Sequence, residues 1–164
     1  MFVESSNPAH SIADSAACRE AFSALELLVV IDVAMTKTAR LAHYVLPAAS
    51  QFEKCEATFF NLEFPHNTFH LRHRLFEPLA GTLPEPEIWA RLVRELGIVS
   101  DDDLRPLREA AGQGLDAYLV AFFPELAANQ VLNKVLPYIL CEHLVPTLPD
   151  GLAGAAALCG LAQN

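Results

Sequence analysis

The stretch Leu27–Val33, LLVVIDV, is a short, almost continuous apolar and β-branched run that carries one carboxylate, Asp32, near its end. A run of this length and character suits a strand buried on both faces, as in a parallel sheet covered by helices. On its N-terminal side, Ile12 to Ala24 places Ala16, Ala17, Ala21 and Phe22, with Leu25 just beyond, on one helical face. Before that, Phe2 to Ser5 reads as a short extended piece, and Asn7-Pro8 as a turn, because the residue before a proline is pushed out of the helical region. The order is strand, helix, strand, which predicts parallel neighbours joined by a right-handed crossover. On the C-terminal side, MTKTARLAHYVLP offers Thr36 as an N-cap and Pro47 as a stop, predicting a helix of about two turns. The fold class expected is therefore α/β, a partial Rossmann-like parallel sheet with flanking helices, followed by a helical C-terminal third.

Further along, Glu56 to Glu77 is aromatic and β-prone, and reads as irregular extended structure with one hairpin-like reversal near Pro65-His66-Asn67. PEPEIWARLVRELG, from Pro84, has proline and glutamate in its first turn, Arg91 and Arg94 in its last, and Gly97 at the C-cap, the signature of a helix. An SDDD cluster then precedes a helical stretch from Leu104 to Phe123, which Pro124 is expected to interrupt, and Pro146 to Gly151 reads as a loop. The expected division is residues 1–97 and a helical extension, 98–164.

Composition limits the function. The chain has 164 residues, 52% of them hydrophobic and 19% charged, which excludes a largely disordered protein. Its formal net charge of -9 disfavours nucleic acid as a partner, since binding a phosphate backbone needs a basic face. No apolar run reaches the roughly 20 residues of a membrane span, no targeting signal is visible, and Cys18, Cys55, Cys141 and Cys159 form no C-x-x-C pair. Free thiols and a cytoplasmic location are the expectation.

The sharpest site signal is IDVAMTKTA, Ile31 to Ala39, a buried strand ending in Asp32 with the hydroxyl of Thr36 four residues on. Ligands of open α/β sheets bind outside the carboxyl ends of the strands, where a carboxylate can accept from ribose hydroxyls or a guanine N–H edge. Spacing leaves a second reading open, that Asp32 and Thr36 merely cap a helix, and both residue types are common caps. His66, His70 and His73 match no tetrahedral zinc spacing and read as a polar strand edge, and Cys55 has no placed base, so no catalytic or metal-ligating residue is assigned.

The order SNPAHS, LLVVIDVAMTKTARLAHYVLPAASQFEK, EPEIWARLVRELG resembles the molybdopterin oxidoreductase family, the dimethyl sulfoxide reductase-like enzymes, over roughly residues 1 to 97. The family pattern runs from a G-x-N-P-like turn through D-x-x-x-T-x-T-A, A-D-x-V-L-P-A and E-K-x-G to an acidic residue ahead of an aromatic on a helix. The resemblance implies that Asn7, Ile31, Asp32, Thr36, Lys54 and Glu87 surround the guanosine end of a molybdopterin guanine dinucleotide. It also implies that the molybdenum is held by other domains of a parent oxidoreductase, which would be this region's partners, and that the isolated chain is inactive and self-associates through uncovered apolar surface. The chain departs from the pattern at His43, where the family usually has aspartate, at EKCEAT, and at Phe64-Pro65. Two alternatives from other classes are an independent guanine-nucleotide-binding or regulatory domain and a non-catalytic interaction module built from the C-terminal helices.

Overall fold

The computed structural model of the chain describes residues 1–58, 70–149, 152 and 156. The chain divides into two compact units, one of Met1–Ser50 with Pro78–Glu85, the other of Gln51–Glu77 with Pro86–Asn164.

The first unit is built on a three-stranded, wholly parallel sheet of β1 (Phe2–Glu4), β2 (Val29–Asp32) and β3 (Tyr44–Pro47), in the order β1-β2-β3. Its register pairs Val3 with Val30 and Val30 with Val45, so β2 is central. Val29, Val30 and Ile31 are buried, as the apolar run predicts. Between β1 and β2 lie α1 (Pro8–Ser11) and α2 (Ser15–Ser23), the latter started by Asp14, whose side chain accepts the Ala17 N–H at 3.0 Å. Phe22 of α2 packs with Val3, Ala9, Leu28, Val30 and Ala39 in the core of this unit. The α/β expectation and the parallel pairing of the first two strands are both met.

The segment after β2 corrects the sequence reading. In place of two helical turns from Thr36 to Pro47 there is an irregular connection with a single 3-10 turn, Ala39–Leu41, and then β3. The physical reason is that Val45 and Leu46 find partners in Val30 and Ile31, and the ladder they complete outweighs a weak helical signal. Pro47 closes the strand opposite Asp32, and the ladder bond to the Asp32 carbonyl is donated by the Ala48 N–H at 3.1 Å, so the missing proline donor interrupts little.

The second unit begins with β4 (Glu56–Thr58) and β5 (His70–Arg72), paired antiparallel as the expected reversal requires. The connection that contains Pro65-His66-Asn67 lies outside the described residues. The helices are α3 (Glu85–Glu95), α4 (Asp101–Gln113), α5 (Leu115–Ala128), α6 (Gln130–Lys134) and α7 (Leu136–Leu144). Ser100 opens α4 with a capping box, its hydroxyl accepting the Asp103 N–H at 3.2 Å while the Asp103 carboxylate accepts the Ser100 N–H at 3.1 Å. Two boundaries differ from expectation. The stretch from Leu104 to Phe123 breaks at Gly114, whose φ of 117° is one that glycine adopts freely. Pro124 lies inside α5 instead of ending it. The proline sits on the exposed side, away from buried Tyr118, Phe122 and Leu126, so the carbonyl it leaves without a helical donor can be hydrated. Val145–Thr147 forms a 3-10 turn that overlaps the start of Pro146 to Gly151, the segment read as a loop. Leu104, Leu107, Tyr118, Phe122, Leu132, Ile139 and Leu144 belong to the core of this unit.

Helix α5 is apolar on its outer side as well, with Val120 77% and Phe123 66% exposed. Concentration-dependent association is therefore expected in sizing experiments, and the pair Val120→Lys and Phe123→Glu should shift the chain toward the monomer. Unchanged elution of this double variant across a concentration series would place the association elsewhere. No helix among the described residues is long and apolar enough to cross a membrane.

Candidate functional site

Parallel pairing brings the carboxyl ends of β1 and β2 to one edge of the sheet, and four of the six residues singled out in the sequence follow from it. Ile31 is fully buried, and its carbonyl accepts the Ser5 N–H at 3.0 Å. Its place is in the ladder, and its effect is to carry the next residue to the edge. Asp32 is half-buried there. One carboxylate oxygen, Oδ1, accepts the Ala34 N–H at 3.3 Å, and the other, Oδ2, accepts the Thr36 hydroxyl at 3.4 Å. Thr36 Oγ1 in turn accepts the Ala39 N–H at 3.2 Å, which starts the 3-10 turn. Both residues thus organise the turn, and the length of the two Asp32 contacts leaves the carboxylate able to accept shorter, stronger bonds from a ligand.

Asn7 joins this edge from β1. Its Oδ1 accepts both the backbone N–H of Thr38, at 3.2 Å, and the Thr38 hydroxyl, at 2.9 Å. The turn after β1 is therefore tied to the connection after β2, two residues beyond Thr36. Thr38 is fully buried and carried no weight in the sequence reading beyond its place in T-x-T-A. The available signal was a second threonine in an otherwise solvated segment. On the outer side of the same connection, the exposed Lys37 Nζ lies 3.2 Å from His10 Nδ1 of α1. His43, the departure from the family's aspartate, accepts the Leu28 N–H through Nδ1 at 3.0 Å, so the ring nitrogen does what a carboxylate oxygen could do at the start of β2.

Lys54 and Glu87 belong to the second unit. Lys54 has a side chain only 10% exposed and an ion pair with Glu56 at 3.0 Å, while Arg72 also contacts Glu56. Glu87, in the first turn of α3, pairs with Arg91 at 2.5 Å one turn on. Cys55 is buried, and burial together with the nearby Glu56 carboxylate pushes its thiol up, opposite to what a nucleophile needs. Cys18, Cys55 and Cys141 are free thiols. Among the described residues no three His, Cys, Asp or Glu side chains gather as a metal site.

The comparison with known proteins decides the family. A sequence profile described as molybdopterin oxidoreductase matches residues 1–94, more than half of the chain. The chain belongs to the molybdopterin oxidoreductase family. Over 97 residues it is 32% identical to the probable oxidoreductase YyaE of Bacillus subtilis, and 31% identical to a trimethylamine-N-oxide reductase of Vibrio vulnificus. Over the same length it is 34% identical to the F420-dependent formate dehydrogenase subunit alpha of Methanocaldococcus jannaschii. Each alignment covers 59% of this chain but only 12–14% of the relative. The chain is thus a fragment-sized match to much larger oxidoreductases, and residues 1–94, which the family profile matches, contain the sheet edge and all six candidate residues.

Proposed function

We propose that residues 1–97 form the region of a molybdopterin-dependent oxidoreductase that holds the guanosine end of a molybdopterin guanine dinucleotide, with 98–164 as a helical extension. The observation that carries this reading is the sheet edge, where an acceptor, Asp32, and an amide, Asn7, are fixed by one hydrogen-bonded loop at the carboxyl ends of neighbouring parallel strands. The polar groups there suit a nucleoside. Asp32 can accept from the N1–H and amino group of guanine or from ribose hydroxyls, and Thr36 can give or take a proton in a hydrogen bond. Val33 and Met35, both more than half exposed beside Asp32, offer apolar contact to the face of a base. Ile31 contributes by anchoring Asp32, Lys54 by supplying a cation for a pyrophosphate or base carbonyl, and Glu87 by accepting from a hydroxyl or amine. When bound, the cofactor supplies oxygen-atom or two-electron chemistry at its metal end, held by other domains of the parent. The part played by this chain is to bind and orient the handle, in a cytoplasmic enzyme.

The test is an NMR titration of the chain with GMP, AMP and inosine monophosphate. GMP should shift the amides of Asn7 and of 32–38, AMP should not, and inosine monophosphate, which lacks the amino group, should bind more weakly. Equal shifts from all three nucleotides would remove guanine recognition from this edge.

A further inference from the structure

The orientation of Asn7 follows from the chemistry around it. Thr38 is fully buried, and its hydroxyl oxygen accepts the Ala9 N–H at 3.1 Å. Its hydrogen is then left to be donated, and it goes to Asn7 at 2.9 Å. The Thr38 backbone N–H reaches the same atom at 3.2 Å, and because a backbone N–H can only donate, that atom must be the carboxamide oxygen. Two donors converge on Oδ1, in a chain running Ala9 N–H to Thr38 Oγ1–H to Asn7 Oδ1, whose members polarise one another. With both lone pairs used, Oδ1 has nothing left for a ligand. The amide nitrogen is turned the other way, and no described residue accepts from it.

We propose that Thr38 is a positioning residue that locks Asn7 as an obligate donor at the carboxyl edge, so that the edge presents one fixed donor, Asn7 Nδ2, beside one fixed acceptor, Asp32. A ligand matched to that pair carries an acceptor and N–H donors on one rigid frame, as the guanine base does with O6 or N7 beside N1–H and the amino group. A carboxamide free to rotate would lose that discrimination, because it could offer its oxygen with equal ease. The identity of the ligand rests on the guanosine reading above, whereas the orientation of Asn7 does not.

Three variants test it. Thr38→Val removes the hydroxyl at nearly constant shape, Thr38→Ser keeps it, and Asn7→Asp keeps the acceptor for Thr38 while deleting the donor, so the last should fold even if Thr38→Val does not. GMP affinity should fall about tenfold in Thr38→Val and Asn7→Asp, the size of one lost hydrogen bond, and return in Thr38→Ser. The loss in Asn7→Asp should persist at high salt, where repulsion between the new charge and the phosphate is screened. Wild-type affinity in both Thr38→Val and Asn7→Asp, with only the melting temperature changed, overturns the proposal and makes Thr38 a purely structural bridge. A wild-type chain that does not bind GMP overturns the guanosine reading alone. Orientation is then judged by the scalar coupling across the hydrogen bond from Thr38 N–H to the Asn7 carboxamide carbon: its presence in the wild type and in Thr38→Ser, with loss in Thr38→Val, upholds the lock, and its absence from the wild type overturns it.

Discussion

Between pH 7 and pH 4 the helical part of the second unit is expected to lose about 3 kcal/mol of stability through one side chain, His143. The residue lies on α7, is 2% exposed, and neither ring nitrogen has a hydrogen-bond partner among the described residues. Its ring meets that of Tyr118 edge-on, with centroids 6.0 Å apart. Burial, reinforced by the guanidinium of Arg108 on α4, pulls its pKa from 6.5 down to about 4, and the nearby backbone of Leu104 opposes this only weakly. The sign follows from linkage. The folded state holds His143 neutral, the unfolded state takes up a proton below pH 6.5, and stability present above that value is lost progressively until the folded state also protonates near 4. The Asp103 carboxyl, lowered chiefly by its bonds to Ser100, contributes in a separate window below 3.8. Urea unfolding at half-unit pH steps should show the fall in the wild type and a nearly flat line from 6.5 to 4 in His143→Leu. Parallel profiles for the two proteins would assign the acid sensitivity to other groups.

The parts of the fold that could be read in the sequence are those with one dominant local signal. LLVVIDV has no amphipathic alternative, so β2 and the crossover from β1 were legible, and so was α3, with its proline start and glycine stop. The connection after β2 was not. Thr36 and Pro47 are true boundary residues, but of an irregular turn and a strand, and the deciding contact, Val45 against Val30, is 15 residues away in sequence. Pro124 misled for a related reason, because whether a proline breaks a helix depends on which face it occupies. At the site, Asp32 and Thr36 announced themselves by spacing, whereas the orientation of Asn7 depends on Thr38, 31 residues further on, and on the Ala9 N–H that fixes the hydroxyl. Lys54 was legible by its place in a family motif, but its burial and its pairing with Glu56 were not. A charged residue in isolation reads as solvated, and only tertiary structure removes it from water.

In a full-length enzyme that carries this region, Asp32→Ala should strip cofactor while changing the fold much less. If the carboxylate accepts two hydrogen bonds from the guanosine end, the substitution leaves both donors unpaired in a partly desolvated site, at about 1–3 kcal/mol each, or roughly tenfold to hundredfold in retention per donor. The same carboxylate accepts from Ala34 N–H and the Thr36 hydroxyl, so a smaller loss of stability, of about 1 kcal/mol, accompanies it as the turn loosens. Asp32→Asn separates the two effects. It keeps an oxygen for the Ala34 N–H and so should hold the melting temperature, yet it turns one of the two acceptor atoms toward guanine into a donor and removes the charge that strengthens the other. Molybdenum per chain and melting temperature, measured on wild type and both variants, give the discriminating result. Cofactor lost in both with the melting temperature lowered only in Asp32→Ala places the carboxylate on the guanosine. Full molybdenum in Asp32→Ala beside a lowered melting temperature reduces Asp32 to the cap of its own turn.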